Sequence, residues 1–444
     1  MALNSGLHPT TPPNFGLVLT GGGARAAYQV GVLEGVAALL TEAGWPARRN
    51  PFRVICGTSA GAINAAALAA GCEDFGAALG RVVDVWHGFR AAQVYRADAR
   101  GALGNAAHWL TALTLGWLMR SRPRSMFDNS PLRQLLESMI DFDDLNRALA
   151  GGSLDALAIT ASSYTSGQHV TYYQSREPIA PWARTQRLAC PARLDVGHLM
   201  ASSAIPFVFP AVPLHLDGRR EFFGDGSMRQ AAPISPAIHL GADRVLVIGA
   251  GQLQQGTAHA DHTGSQYLYP NLAQVAGHAM ASIFLDGLAN DIERLERVNR
   301  TLALIPEPAR RSIALRPIDV LVIAPSRRLD ALAKDHIREL PRSVRTMLRM
   351  LGATEKRGAG LASYLLFERG YTRRLIRLGR EDVLARRDEV LAFFGGPAPR
   401  APDPSHPSHP SVAAAAAVAA APAYAVTPDP TASPARSTQT AAAS

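Results

Sequence analysis

The sequence predicts an α/β fold in which helices cover a parallel sheet. The apolar run 15–20 leads into a glycine turn, and a helical pattern follows from Ala26 to a stop at Gly44. A second apolar run, 52–56, ends at a turn of small residues, and a helical pattern covers 60–70. Two consecutive strand-helix units of this length favour parallel strands, because each helix carries the chain back across the sheet.

The turn of the second unit, Gly57-Thr58-Ser59-Ala60-Gly61, is typical of a nucleophile elbow. In such a turn the central serine is strained and projects above the sheet, at a helix N-terminus that favours negative charge. We expect Gly57 and Gly61 to be required because a Cβ there would meet neighbouring backbone. The alternative is a chance match in a chain rich in glycine and alanine, so the motif alone leaves the role of Ser59 open.

The turn of the first unit, Gly21-Gly22-Gly23-Ala24-Arg25, allows three interpretations. It resembles the dinucleotide fingerprint, but the next strand ends at Cys56 without the acidic residue that holds a ribose. It is also compatible with a turn kept tight for packing. In the third interpretation its amides form an oxyanion hole beside Ser59, since the carboxyl ends of neighbouring parallel strands meet at one edge. Arg25 would then steady the loop or hold an anionic head group.

An aspartate follows a predicted hairpin further along the chain. Asp217-Gly218 between two apolar runs predicts the hairpin, and Asp225 stands directly after it between Gly224 and Gly226. An aspartate between glycines usually caps local amides in a turn, and its alternative role is the general base for a nucleophile. Other strands are predicted at 154–161, 168–173, 244–248 and 320–324.

Charge and hydropathy exclude several function classes. The formal net charge of +9 comes almost entirely from arginine, and no nucleic-acid-binding motif accompanies it, so we expect no nucleic acid partner. Basic residues concentrate after Arg310, which is compatible with peripheral contact with an anionic membrane. No run approaches the roughly 20 apolar residues of a membrane-spanning helix. The run 106–119 fits a helix at a lipid interface or a buried, active-site-covering helix, and we favour the second.

Cysteine and histidine usage predicts neither a disulfide nor a metal site. Cys56, Cys72 and Cys190 lack disulfide or metal-ligand spacing, and the N-terminus lacks the pattern of a signal peptide, which favours a reducing, cytoplasmic compartment. His259 and His262 lie in a polar stretch without a third and fourth ligand, so we expect no metal and no cofactor.

Composition divides the chain into four segments. We expect a flexible arm over 1–14, an α/β domain over 15–325 with a helical cap within 77–147, a helical region over 326–394 packed on that domain, and a disordered tail over 395–444 rich in proline and alanine. A long helix is predicted over 279–301. Its acidic residues are expected on a solvated face: Asp286, Asp291, Glu293 and Glu296.

Taken in this order, the motifs resemble the patatin-like phospholipases. The resemblance rests on Gly21–Arg25, Gly57–Gly61 and Asp225–Gly226, with a similar Ser203-Ala204-Ile205-Pro206 run before the hairpin, and it covers about 15–324. Each motif alone is weak, but the set is specific. The chain departs from the family pattern at two positions. Ala26 stands where the family usually has glycine, and Ser227 stands where it usually has glycine or alanine.

The resemblance implies a three-layer α/β/α sandwich with a mostly parallel central sheet. It also implies a lipid acyl hydrolase, a phospholipase A or lysophospholipase-type esterase, with a serine-aspartate dyad and neither a catalytic histidine nor a metal. Carried over to this chain, Ser59 is the nucleophile and Asp225, in the motif with Gly226, is the proton acceptor. The oxyanion site would comprise Gly21, Gly22, Gly23 and Arg25.

Two competing functions stay open at this point. One is an α/β-hydrolase with a Ser-His-Asp triad, whose histidine could be His239 or another downstream residue, although no histidine stands in a motif. The other is a lipid-binding protein of the same fold without turnover. The presence of both Ser59 and Asp225 favours the dyad enzyme over the second alternative.

Overall fold

The computed structural model describes residues 13–96, 125–251, 272–310, 312–313, 315–350, 352–353 and 359–395. Within these residues one sheet of ten strands runs through the molecule. The strands are β1 (Phe15–Leu19), β2 (Val54–Thr58), β3 (Ala156–Ser163), β4 (His169–Ser175), β5 (Ala183–Arg184), β6 (Arg187–Pro191), β7 (Val212–Leu216), β8 (Arg219–Asp225), β9 (Arg244–Ile248) and β10 (Asp319–Ile323).

Helices occupy most of the remaining described residues. They are α1 (Ala27–Glu42), α2 (Ala60–Ala70), α3 (Phe75–Gly88), α4 (Ser130–Met139), α5 (Phe142–Ala150), α6 (Val196–Ser202), α7 (Ser235–His239), α8 (Leu272–Ala303), α9 (Glu307–Arg310), α10 (Leu329–His336), α11 (Arg342–Met350), α12 (Ala359–Leu365), α13 (Arg369–Ala385) and α14 (Arg387–Phe393).

The sheet has the order β10-β9-β1-β2-β3-β4-β6-β5, with β8 pairing to both β3 and β7. From β10 to β3 every neighbouring pair is parallel. Antiparallel pairing begins beyond β3, where β3 contacts β4 and β8. The predicted mostly parallel sheet is therefore confirmed, and its switch to antiparallel pairing lies beside the strands that carry the candidate site.

Alternating residues of the central strands feed two separate cores. Leu17 and Leu19 of β1 belong to the larger core with α1, α2 and α3, whereas Val18 belongs to a smaller core with Leu288 and Ile292 of α8. This division follows from the period of two along a strand, which sends neighbouring side chains to opposite faces. Helices on both faces produce the predicted three-layer α/β/α sandwich.

The last helices join the larger core. At Gly31 of α1 a Cβ would collide with the backbone of Ile376, and at Gly379 of α13 it would collide with the backbone around Tyr28. These two glycines let the helix backbones approach more closely than side chains would allow. Phe394 also stacks on Phe15 of β1, with ring centroids 5.0 Å apart.

Several local predictions can be compared with the structure. Asp217 and Gly218 both have positive φ angles, 49° and 76°, as a tight hairpin turn requires. Strands β5 and β6 and helices α7 and α9 were not anticipated, because each is short and lacks a clear period. The expectation of a solvated face was wrong for Asp291, which is buried and accepts a hydrogen bond from the Ile234 amide at 2.9 Å.

Other predictions lie outside the described residues. They concern the arm up to residue 12, the apolar run 106–119, the pair His259 and His262, and the tail beyond Gly395. Across the described helices, none combines the length and apolar character needed to cross a bilayer.

Candidate active site

The strand-turn-helix unit around Ser59 has the geometry of an elbow. Strand β2 ends at Thr58, α2 begins at Ala60, and Ser59 between them has φ 57° and ψ −131°. A non-glycine residue in this region stores strain, which commonly marks a functional site. A Cβ at Gly61 would collide with the carbonyl oxygens of Leu19 and Thr20, so the start of α2 lies directly against the end of β1.

Asp225 reaches Ser59 through the pairing of β3. Strand β2 runs beside β3 as far as Thr58, opposite Thr160. Strand β8 then approaches along the same side of β3 from the other direction, and its last residue, Asp225, lies opposite Ala161. Two strands therefore meet end to end beside one neighbour, which places their terminal side chains together.

The two side chains are hydrogen-bonded. Ser59 Oγ donates to Asp225 Oδ2 at 2.5 Å, and both residues are buried. Burial raises the pKa of Asp225 from its ordinary 3.8 to about 6, while hydrogen bonds from Ser59 and Ser227 oppose that rise. A carboxylate with a raised pKa is a stronger base, and here it is in contact with the hydroxyl whose proton it would accept.

Ser202, which the sequence analysis did not single out, connects both halves of this pair. Its Oγ accepts a hydrogen bond from the Ser59 amide at 2.9 Å and donates to the Thr160 carbonyl at 2.6 Å. Its carbonyl accepts from the Gly226 amide at 3.2 Å. The only sequence feature pointing here is that Ser202 directly precedes the Ser203–Pro206 run.

Residues after Asp225 complete its surroundings. The Ser227 amide donates to Asp225 Oδ1 at 2.8 Å, whereas the buried Ser227 hydroxyl has no hydrogen-bond partner among the described residues. A Cβ at Gly226 would collide with the Thr160 carbonyl. His169 Nε2 lies 2.9 Å from the Gly226 carbonyl, and because a carbonyl can only accept, Nε2 carries the proton. Burial lowers the pKa of His169 to about 4, which keeps its ring neutral.

The glycine loop lies beside the elbow. Gly23 has φ 55° and lines the same cavity as Ser59, whereas Gly21 and Gly22 do not line it. No acceptor among the described residues pairs with the amides of Gly21, Gly22 or Gly23. The loop then continues as a single turn over Gly23–Ala26 into α1.

A buried polar chain that was not predicted supports this loop. Trp86 Nε1 donates to Asn64 Oδ1 at 2.8 Å, and Asn64 donates to Gln29 Oε1 at 3.2 Å. Gln29 in turn donates to the Thr20 carbonyl at 2.7 Å, immediately before the glycines. Thr20 Oγ1 accepts a hydrogen bond from the Ala250 amide at 3.1 Å. The chain connects the loop to α2, α3 and the end of β9.

The Arg25 side chain points toward the C-terminal helices. Its guanidinium bonds Ser363 and Tyr364 of α12 and the Gly360 carbonyl. It is buried and is not among the groups that line the cavity. The guanidinium is therefore directed at α12 and away from the cavity.

An apolar cavity adjoins Ser59. Part of its lining comes from α3 with the residue that follows it and from α4, with side chains spaced at i, i+3, i+4 and i+7, the period of one helix face. The wall residues are Val82, Val85, Trp86 and Phe89, and Leu132, Leu135, Leu136 and Met139. Each methylene buried against such an apolar lining gains about 0.8 kcal/mol, so the cavity favours apolar groups.

The alternatives of a histidine triad and of a metal site concern His239 and the grouping of possible metal ligands. The histidine considered for a triad, His239, stacks on Trp182 with ring centroids 4.6 Å apart. Among the described residues, no group of three or more histidine, cysteine, aspartate or glutamate side chains is arranged to hold a metal ion.

A family model for patatin-like phospholipases matches residues 17–238, which include the glycine loop, the elbow and Asp225. The chain belongs to the patatin-like phospholipase family. This confirms the resemblance inferred from the motifs, and membership supports activity as a lipid hydrolase. Among curated proteins, none matches this patatin-like chain by sequence.

Solved structures provide more distant similarity. Human GIVD cytosolic phospholipase A2 in complex with methyl gamma-linolenyl fluorophosphonate is 14% identical with a TM-score of 0.40, and the match covers 88% of this chain and 60% of that chain. VipD from Legionella pneumophila is 13% identical with a TM-score of 0.27, and the match covers 82% of this chain and 67% of that chain. The structure of SpcU in complex with ExoU, from the type III secretion system of Pseudomonas aeruginosa, is matched with 16% identity and a TM-score of 0.24. That match covers 85% of this chain and 77% of that chain. The patatin-like chain thus spans 60% of the human enzyme's chain.

Proposed function

We propose that this protein is a serine-dependent lipid acyl hydrolase that uses Ser59 and Asp225 as a dyad. The observation that carries the proposal is the 2.5 Å hydrogen bond between Ser59 Oγ and Asp225 Oδ2 beside an apolar cavity. An uncharged serine is a weak nucleophile until a neighbouring base removes its proton. The substrate class is an acyl ester of a phospholipid or lysophospholipid, with the acyl chain in the cavity.

The reaction proceeds in two halves. As Ser59 Oγ attacks the ester carbonyl carbon, its proton passes to Asp225, and the carbonyl oxygen becomes negative near the glycine loop. The intermediate collapses, the alcohol leaves with the proton from Asp225, and an acyl-enzyme remains on Ser59. Water then gives a proton to Asp225 and attacks the acyl carbon, and the fatty acid departs as Ser59 regains its proton.

Loss of the nucleophile tests this proposal. We expect Ser59→Ala to lower hydrolysis of a short-chain nitrophenyl ester by at least about 1,000-fold, since removal of a nucleophile costs several kcal/mol of transition-state stabilisation. A fluorophosphonate probe should label the parent and leave the variant unlabelled. Equal rates for the two proteins would refute the dyad. An unlabelled, inactive parent would favour the lipid-binding alternative, and loss of activity on replacing His239 would favour the triad.

We further propose that Phe207 contacts the lipid surface from which substrate enters. Its side chain is 73% exposed and its φ is 67°, so an aromatic ring is held in water on a strained backbone. Ile205 and Phe209, on either side of it, line the cavity. An exposed ring next to an acyl cavity is suited to insertion at a bilayer interface.

A comparison of two substrates tests this contact. We expect Phe207→Ser to reduce hydrolysis of phosphatidylcholine vesicles by about tenfold, because a buried aromatic ring contributes one to a few kcal/mol. Hydrolysis of a soluble nitrophenyl ester should stay within about twofold of the parent. Leu304→Ser is the matched control, since Leu304 is also exposed, at 85%, but has no cavity-lining residue next to it as Phe207 has in Ile205 and Phe209. Equal losses in both variants, or on both substrates, would exclude the contact.

A further inference from the structure

The glycine loop is attached to a helix more than 300 residues later in the chain. Arg25 Nε donates to Ser363 Oγ at 2.8 Å, Nη1 donates to the Tyr364 hydroxyl at 3.1 Å, and Nη2 donates to the Gly360 carbonyl at 3.3 Å. The guanidinium also lies 3.9 Å from the centroid of the Tyr364 ring. We call these contacts, made by Arg25 with Gly360, Ser363 and Tyr364, the Arg25 clamp.

The backbone of the loop is in contact with the same helix. At Gly23 a Cβ would collide with the Tyr364 carbonyl, and the φ of 55° is one that side chains disfavour. Gly23 is also the loop glycine that lines the cavity. A displacement of α12 would therefore be transmitted to the backbone that faces Ser59.

The segment after α12 forms part of the cavity itself. Phe367 lines the cavity together with Trp86 and Phe89, and its ring centroid lies 5.5 Å from that of Phe89. The Leu365 carbonyl accepts a hydrogen bond from the Tyr95 hydroxyl at 3.0 Å. The first contact joins this segment to the cavity wall, and the second joins it to Tyr95, which follows the cavity-lining residue Val94. The family match, in contrast, ends at residue 238.

The geometry of the guanidinium indicates what Arg25 can do. A guanidinium is planar and presents its donors in a fixed fork, so partners on Nε, Nη1 and Nη2 fix its orientation. The side chain is only 7% exposed. A group held in this way is directed at α12 and is unsuited to follow an oxygen that develops charge above Ser59.

We propose that Arg25 is a positioning residue and that residues 359–367 are an integral part of the active site. The proposal rests on the proposed hydrolase function. The clamp holds the glycine loop so that its amides keep a fixed position relative to Ser59, and its role in the reaction is indirect. A displacement of about 1 Å at a reacting centre can cost about 100-fold in rate.

The test is the double variant Ser363→Ala/Tyr364→Phe in the full chain, which removes two partners of Arg25 and leaves Ser59 and Asp225 unchanged. We expect kcat for a short-chain nitrophenyl ester to fall about 10- to 100-fold with KM unchanged. The rate should still rise with pH through about 6, the pKa of Asp225. Hydrogen exchange of the amides in 20–26 should accelerate about tenfold, and Arg25→Lys should reproduce both effects because an ammonium lacks the fork.

Tyr173→Phe is the matched control. It also removes a buried tyrosine hydroxyl, one that donates to the Ile179 carbonyl at 2.7 Å and has no contact with the loop. Its kcat and loop exchange should match those of the parent. The positioning role is refuted if the loop amides of the double variant exchange hydrogen no faster than those of this control. It is also refuted if they exchange faster while kcat is unchanged. If the parent hydrolyses no ester, the hydrolase proposal fails, while exchange without substrate still determines whether the clamp holds the loop.

Discussion

The pair Ser59 and Asp225 and the glycine loop lie side by side but differ in which parts of the chain support them. Ser59 and Asp225 are held by Ser202, Thr160 and Ala204, all within the region that matches the family. The glycine loop is held from within that region by Gln29, and it depends in addition on Ala250 after β9 and on α12, both beyond residue 238. The comparison teaches that a region recognisable from its motifs can contain the proposed dyad and still lack part of the structure that contacts the glycine loop beside it.

The largest expected effect tests the chemistry of the pair without changing its support. Asp225→Asn keeps a side chain that can bond both Ser59 and Ser227, but it removes the base. We expect kcat/KM for a nitrophenyl ester to fall by about 1,000-fold. In the parent, kcat/KM should decline as pH falls below about 6, because the pKa of Asp225 is about 6 and only the ionised form accepts a proton. A parent profile that is flat between pH 5 and 7, or an active variant, would contradict the assignment.

The same substitution should stabilise the fold. Since burial raises the pKa of Asp225 from 3.8 to about 6, the folded protein favours the protonated carboxyl, and its ionisation costs stability as pH rises through this range. We expect Asp225→Asn to increase the free energy of unfolding at neutral pH by about 2 kcal/mol. The gain should shrink as pH falls below about 6 and should vanish only below 3.8, where the carboxyl is protonated in both states. Denaturant unfolding at several pH values measures it.

An intermediate effect separates the two supports. Ser202→Ala leaves the Ser59 amide without an acceptor and the Thr160 carbonyl without a donor, so we expect kcat to fall about tenfold and stability to fall by about 2 kcal/mol. Hydrogen exchange of 20–26 should remain that of the parent, because the loop has other supports. Faster exchange in the loop would show that Ser202 also supports the glycine loop, contrary to this prediction.

The smallest expected change in activity is that of Ser227→Ala, which removes a buried hydroxyl close to Asp225. The Ser227 hydroxyl is buried without a hydrogen-bond partner among the described residues, while the Ser227 backbone amide donates to Asp225. Ser227→Ala should keep activity within about twofold and raise stability by about 1 kcal/mol, since an unsatisfied buried hydroxyl is removed. Steady-state kinetics and thermal unfolding suffice. A large loss of activity would mean that this hydroxyl, too, supports the pair.

How much the sequence predicted depends on the distance between partners along the chain. Strands, the elbow and the Asp217-Gly218 hairpin follow from patterns within about ten residues, so they were anticipated within a few positions. Ser202 and the chain through Gln29 and Asn64 were not, because single polar residues in helices look alike until the fold gives them partners.

Arg25 illustrates the same limit within a motif. The sequence allowed it to steady the loop, hold an anion or join the oxyanion site, and nothing near Arg25 distinguishes these roles. Its partners Ser363 and Tyr364 lie 338 and 339 residues away. The family pattern ends before that segment, so neither local pattern nor resemblance could identify it.

Because β2 and β8 meet end to end beside β3, the proposed catalysis depends on the register of β8. Thr58 and Asp225 face consecutive residues of β3, Thr160 and Ala161. A slip of β8 by one residue would turn the carboxylate to the opposite face of the sheet. The tight turn at Asp217 and Gly218 lies at the opposite end of β8 from Asp225. Adding or deleting one residue there should therefore abolish the proposed activity, although Ser59 and Asp225 would both still be present in the sequence.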